Sequence, residues 1–119
     1  MLRILALALV ALGIAAGVMG QQVYEPGNGV TLPRVIKEVR PQYTPQAKAA
    51  RIVGRVMLEG VVEPTGMVDN IRVVQSLDTK YGLDDEAIKA FEQWQFEPGK
   101  KDGAPVAVRI HVELTFTLR

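Results

Sequence analysis

The stretch from residue 106 to residue 119 constrains this chain more than any other. Val106, Val108, Ile110, Val112, Leu114, Phe116 and Leu118 alternate without a break against Ala107, Arg109, His111, Glu113, Thr115 and Thr117. Side chains alternate across a strand with period two, so the spacing predicts a long β-strand with an apolar face on a core and a polar face in water. No Pro or Gly interrupts it after Pro105. A strand of this length either pairs on both sides or presents a free backbone edge to something else. The first outcome makes it structural, the second a binding site.

The rest of the chain has room for one core. Of 119 residues, the first twenty read as a targeting segment, leaving one domain of roughly 85 to 100 residues. Met1-Leu2-Arg3 and the uncharged run from Ile4 to Gly20 fit a signal peptide, with Val18 and Gly20 placed for cleavage before Gln21. The alternative is an uncleaved anchor, because the run sits at the short limit of about 17–25 residues for a membrane-spanning helix. Crowding of Gly and Ala in its second half favours cleavage and an exported product.

The chain has no cysteine, which excludes an acylated lipoprotein cysteine, a disulfide framework, a thiolate metal site and a Cys nucleophile. Of the 14 Lys and Arg residues one, Arg3, lies in the leader, so 13 face 13 Asp and Glu in the remainder. The basic residues are scattered among acids and form no stripe, which sets nucleic-acid binding aside.

Residues 21–32 are polar and small, with Pro26, Gly27 and Gly29, and read as a flexible tether. The domain opens near Pro33. Pro41 and Pro45 hold Tyr43 in an extended piece, and Thr44 before Pro45 reads as the N-cap of a short helix over residues 46–51. Residues 53–63 follow as a strand with Val56, Leu58, Gly60 and Val62 on one face. Pro64-Thr65-Gly66 makes the turn into a second strand over residues 67–77, where Val74 breaks the alternation and marks a bulge or a two-sided strand.

After a loop, Asp84 reads as the N-cap of the main helix, with Asp85 and Glu86 matched to the positive end of its dipole. Ala87, Ile88, Phe91 and Trp94 fall at helical spacing on one face. Pro98-Gly99 stops the helix, and residues 100–103 form a solvated turn before the last strand. The order is short helix, strand, strand, helix, strand. The expected class is α+β: a small antiparallel sheet with the main helix on one face.

No constellation supports catalysis. His111 is the only histidine and has no Cys, second His or carboxylate cluster at ligand spacing, so neither a metal site nor a general base is expected there. Asp84-Asp85-Glu86 is explained by helix-start chemistry and lacks the following oxygen ligands of a calcium loop. Gly54, Gly60 and Gly66 are spaced as strand and turn glycines and make no phosphate cradle. Ser76 lacks the glycine-flanked elbow of a serine hydrolase. No cofactor and no small-molecule substrate is expected. Trp94, Phe96 and Pro98 read as a core anchor and a chain-redirecting proline, not an aromatic cage. Tyr43 either packs on the sheet or is displayed as a rigid contact.

With these residues in place, the chain from Arg40 to Leu118 resembles the TonB C-terminal domain family. The likeness runs through Pro41-x-Tyr43, Ala47, Gly54, Val56, Pro64-Thr65-Gly66, Val73-Val74, Ser76, Leu83-Asp84, Ala87, Trp94-Gln95-Phe96-Glu97-Pro98 and Gly103-x-Pro105-Val106. Its specific part is Trp-x-Phe-x-Pro after an amphipathic helix, combined with Pro-x-Gly in a hairpin. The resemblance implies a TonB-like domain over residues 33–119. It implies a periplasmic module that couples inner-membrane energy to outer-membrane receptors by gripping an extended receptor peptide next to its last strand. Main-chain pairing of that kind makes little sequence demand and lets one module serve many receptors.

Carried onto this chain, the resemblance places the partner-binding edge on Val106, Ala107, Val108, Arg109, Ile110, His111, Val112 and Glu113, with Arg40, Gln42 and Tyr43 as a second contact. In the family the tyrosine is followed directly by proline; here Thr44 intervenes. Full-length transducers also carry a histidine in the membrane helix and a long proline-rich spacer. Here Ile4 to Gly20 has no histidine. The tether reaches at most about 40 Å when extended. Inner-membrane motor partners are therefore expected only if the leader is retained as an anchor. The alternative to receptor or envelope-protein docking is a homodimer formed through the same edge strand, without energy coupling.

Overall fold

Thr44 decides where the first helix begins. The computed structural model describes residues 22–118. Thr44 stands in an extended conformation, its Oγ1 accepts from Ala47 N at 3.1 Å, and Pro45 occupies the first helical position of α1 (Pro45–Ala49). The same hydroxyl donates to Tyr81 O at 2.7 Å, fixing the helix start to the loop before the second helix. Arg51, with φ of 59°, ends α1, and Ile52 N and Arg51 N donate back to Ala47 O and Lys48 O, which satisfies the last carbonyls.

A four-stranded sheet carries the rest, in the order β1 (Val23–Tyr24), β8 (Ala107–Phe116), β3 (Gly54–Val62), β4 (Val68–Gln75). β8 and β3 run antiparallel in unbroken register from Gly54 opposite Phe116 to Val62 opposite Val108. β3 and β4 form the hairpin expected from Pro64-Thr65-Gly66, with register shifts at two places that account for the broken alternation in β4. β2 (Arg34–Lys37) pairs antiparallel with β5 (Gln95–Glu97), and β6 (Lys100–Lys101) with β7 (Ala104–Pro105). The solvated turn expected at residues 100–103 is thus a hairpin whose tip, Asp102-Gly103, has positive φ at both positions, as a two-residue type I′ turn requires.

The core lies between the apolar face of this sheet and α2 (Leu83–Glu92). Val56, Leu58 and Val62 of β3 and Leu114 and Phe116 of β8 are buried in one cluster with Leu83, Ala87, Ala90 and Phe91 of the helix, while Val108 is buried beside Gly99. Fully burying Phe91 and Phe116 contributes about 2–3 kcal/mol each. Gly60 leaves the notch that Phe91 fills, since a Cβ there would stand 2.8 Å from the ring. Trp94 follows the helix end. It packs edge-on to Phe91 at 5.3 Å, and its indole N–H donates to Val39 O at 2.9 Å. With Trp94 and Phe96 both buried, the run is the core anchor its sequence predicts.

The hairpin turn and this anchor touch. Gly66 N donates to Glu63 O at 2.8 Å, closing the turn, and Gly66 O accepts from Phe96 N at 2.9 Å. Gly66 has φ of +90°, and a Cβ there would meet Phe96 O at 2.2 Å. Only glycine fits both demands.

Asp84 is not the helix cap. The helix starts after Gly82, whose φ is 89° and whose hydrogen atom caps nothing. Asp78 does that work from upstream, accepting from Leu83 N at 3.1 Å and Tyr81 N at 3.1 Å. Asp84 is 5 % exposed and reaches back to accept from Leu77 N and Asp78 N, both at 3.0 Å, and from the Ser76 hydroxyl. An acidic residue inside a first turn can serve a neighbouring loop as easily as its own helix, and here the loop's unpaired N–H groups claim it.

The segment expected as a flexible tether is also structured where described. Val23–Tyr24 pairs parallel with β8, Gly27 and Val30 bond to each other, and Thr31 N donates to Lys100 O at 2.9 Å. Val30 is buried. It bridges both to Gly27 within the segment and to Lys101 near the start of the last strand.

Two outcomes follow for stability in urea. Asp84→Ala leaves two partly buried backbone donors and a hydroxyl without their carboxylate partner and is expected to lose about 2 kcal/mol, against less than about 1 kcal/mol for Asp85→Ala in the same helical turn. Equal losses at the two positions would contradict the bonding described. Gly66→Ala is expected to lose about 3 kcal/mol or more through strain and collision with Phe96; a variant as stable as the parent would exclude this turn.

Candidate functional site

One side of β8 is satisfied and the other is open. β3 covers the inner side along its length. On the outer side β1 pairs only with Ala107 and Val108, and Val106 N donates to Gly99 O at 2.9 Å. Among the described residues no strand borders the outer side of residues 109–116. Eight residues of open edge measure about 26 Å, enough for a peptide strand of similar length. The expected docking stretch is therefore divided. Val106, Ala107 and Val108 are taken by the chain itself, while Arg109, Ile110, His111, Val112 and Glu113 lie on the open edge together with Leu114, Thr115 and Phe116.

The second contact is divided as well. Arg40, Pro41 and Tyr43 line a cleft of about 420 Å³ with Thr115, Phe116 and Thr117, at the far end of the open edge. Tyr43 is held there: its ring meets Phe116 edge-on at 5.3 Å and its hydroxyl donates to Ile52 O at 2.6 Å. Of the two roles open to it from sequence, it fills that of core margin, with one side facing the cleft. Thr44, which separates Tyr43 from Pro45, is absorbed by its capping duty. Gln42 faces the opposite way, into a smaller cleft of about 240 Å³ beside Glu86 and Lys89 of α2.

The polar face beside the edge is a charge network centred on Glu59. This carboxylate, only 9 % exposed, accepts from Arg72 at 2.9 and 3.2 Å, stands 3.2 Å from His111 Nε2 and 3.6 Å from Arg109 Nη1. Opposite charges on adjacent strands pair across a sheet, and the register sets Glu59 opposite both Arg72 and His111. The Arg72 hydrogen bond holds the Glu59 carboxyl below its ordinary value of 4.5, Arg109 and His111 adding to the effect against partial burial. His111 thus belongs to a structural network. Among the described residues no group of three or more His, Asp or Glu could hold a metal ion, and the edge offers hydrogen bonds and charge rather than a nucleophile.

Sequence reasoning did not find Glu59, Arg72, Tyr24, Glu25 or Lys101 as neighbours of the edge. Glu59 had a signal, being a carboxylate at the centre of a strand otherwise rich in Val, but its partners depend on register.

Arg72→Met is expected to let Glu59 titrate closer to 4.5 in carboxyl-detected NMR. A lowered folded value stabilises the fold above the unfolded value and that contribution is lost as pH falls through the folded one. The variant's stability deficit should therefore be full above about pH 4.5 and shrink below it. Identical Glu59 titration in parent and variant would remove Arg72 as the cause.

The comparisons with known proteins agree with this architecture. The model of the Gram-negative bacterial TonB protein C-terminal family matches residues 39–118. Protein TonB of Vibrio cholerae is 37 % identical over 84 residues, 71 % of this chain and 34 % of that protein; Protein TonB of Escherichia coli K12 is 33 % identical over 85 residues, 71 % and 35 %. The chain thus spans about a third of the length of these curated relatives. The solution structure of the Pseudomonas aeruginosa TonB C-terminal domain superposes with a TM-score of 0.61 at 24 % identity, over 84 % of this chain and 96 % of that one, which bears on the fold alone. The α+β class expected from sequence is the class observed, and the family is one of energy transducers and binding modules, not enzymes. With a family match covering most of the chain, this protein belongs to the TonB C-terminal domain family.

Proposed function

We propose that this chain is an envelope protein whose domain, facing the periplasm, docks an extended peptide of an outer-membrane receptor by strand addition along β8, in TonB-type energy transduction. The observation that carries this reading is the open outer edge of residues 109–116 on a strand whose inner side is fully paired. An edge of this kind supplies unpaired N–H and C=O groups in a row, and an added strand satisfies them without a dedicated pocket for each side chain. The cleft beside Arg40 and Tyr43 lies at the end of that edge, where a docked peptide's last side chain would arrive.

The leader lies outside the described residues. Among those described, no helix is long and apolar enough to cross a membrane. Placement in the periplasm or at the inner membrane therefore rests on the sequence of residues 1–20 and on the family.

The test uses a synthetic peptide from the plug of an outer-membrane receptor and the same peptide N-methylated at alternate residues. Amide shifts of residues 109–116 should move with the first, and the methylated peptide should bind at least about tenfold more weakly, because it lacks the donors that extend the sheet. Shifts confined to other surfaces, or equal binding by both peptides, would refute strand addition. A concentration-dependent rise in mass with the same amides protected in the free protein would point instead to a dimer through this edge.

A further inference from the structure

The start of the edge already holds a ligand, and the chain supplies it. Val23 stands opposite Ala107 and Tyr24 opposite Val108, in parallel. Glu25 follows and its Oε2 accepts from Arg109 Nε at 3.0 Å, while Lys101 Nζ lies 5.1 Å over the Tyr24 ring. Pro26 then ends the strand for want of an N–H, and Gly27, Asn28 and Gly29, with φ of 98°, 55° and 85°, turn the chain off the edge. The occupant stops where the open edge begins.

The charges show which half of this contact is fixed. Arg109 is 34 % exposed and anchored at the Glu59 network, whereas Glu25 is 67 % exposed and has only Arg109 as an ion-pair partner among the described residues. Glu59 already answers Arg72 and His111 at shorter range than Arg109, so Arg109 is left to answer a second carboxylate. A two-residue strand, an exposed ion pair and a single half-buried cation–π contact are each weak, so this occupant is displaceable.

We propose that the segment Val23-Tyr24-Glu25 is a built-in competitor for the β8 edge and marks the kind of partner the edge prefers: an extended segment, parallel to β8, with an aromatic residue directly followed by an acidic one. The aromatic lies under Lys101, the acid meets Arg109, and the segment continues along residues 109–116 where the chain's own copy turns away. This rests on the edge being a peptide site.

The probe is a labelled ten-residue peptide, Gln-Val-Tyr-Glu followed by three Val-Thr repeats, titrated into the full chain. Tyr24→Pro should strengthen probe binding by roughly five- to tenfold, and Glu25→Ala, which removes only the exposed ion pair, by up to about fivefold, since apparent affinity scales with the fraction of molecules whose site is free. A probe with Lys in place of Glu should bind several-fold more weakly to the parent, and that preference should vanish in Arg109→Gln. Equal binding by parent and both variants, with residues 109–116 still answering a receptor peptide, would overturn the competitor and leave the docking edge standing. Silence of those amides toward both peptides would overturn both.

Discussion

The ladder between β3 and β8 is the contact on which the other parts depend. Its nine opposed pairs fix which side chains of both strands meet α2 and which meet water, because a slip of one residue would send every apolar side chain of β8 to the solvent face. Val108, Leu114 and Phe116 are core residues only in this register, and Glu59 meets His111 and Arg72 only in this register. The same ladder leaves the open edge. With one side of β8 satisfied and β1 on Ala107 and Val108, the outer side of residues 109–116 is left without a partner strand among the described residues.

An open edge is a hazard for a soluble domain, and the chain manages it with charge instead of cover. Arg109, His111 and Glu113 project from the polar face of β8, and the Glu59 network and the Arg55–Glu113 pair at 3.5 Å hold them near the sheet. Charges beside an edge discourage indiscriminate edge-to-edge pairing. There is no proline and no bulge along β8.

The legible part of this fold was the part with a period. β8, β3 and α2 declared themselves through repeats of two and 3.6 residues, and α1 through Thr44-Pro45, a cap whose chemistry is local. Strands of two to four residues have no period to read, so β1, β2, β5, β6 and β7 were invisible, and residues 21–32 looked like a linker. Asp84 was misassigned because a carboxylate at a helix start has a stock explanation, while its true partners, Leu77 N and Asp78 N, are set by how the loop folds back. The pairing of Pro64-Thr65-Gly66 with Trp94-x-Phe96 was visible as a resemblance but not as a contact; Gly66 at Phe96 O supplies the reason the two motifs belong together. For the site, alternation could nominate β8, yet openness is a property of strand order, and the order depends on which short strand claims Ala107 and Val108.

That claim changes how far the domain can act from whatever precedes it. A spacer transmits reach only through residues that are free, and here Val23–Tyr24 on β8, the Gly27–Val30 turn and Thr31 on Lys100 hold residues 23–31 against the domain. While β1 is seated, the described chain begins beside the open edge of β8. Displacing it from residues 23–26 would add at most about 14 Å of extended chain, and freeing the segment back to Pro33 about 35 Å. If β1 is displaced as proposed, the same event that frees Ala107 and Val108 also lengthens the free chain ahead of the domain.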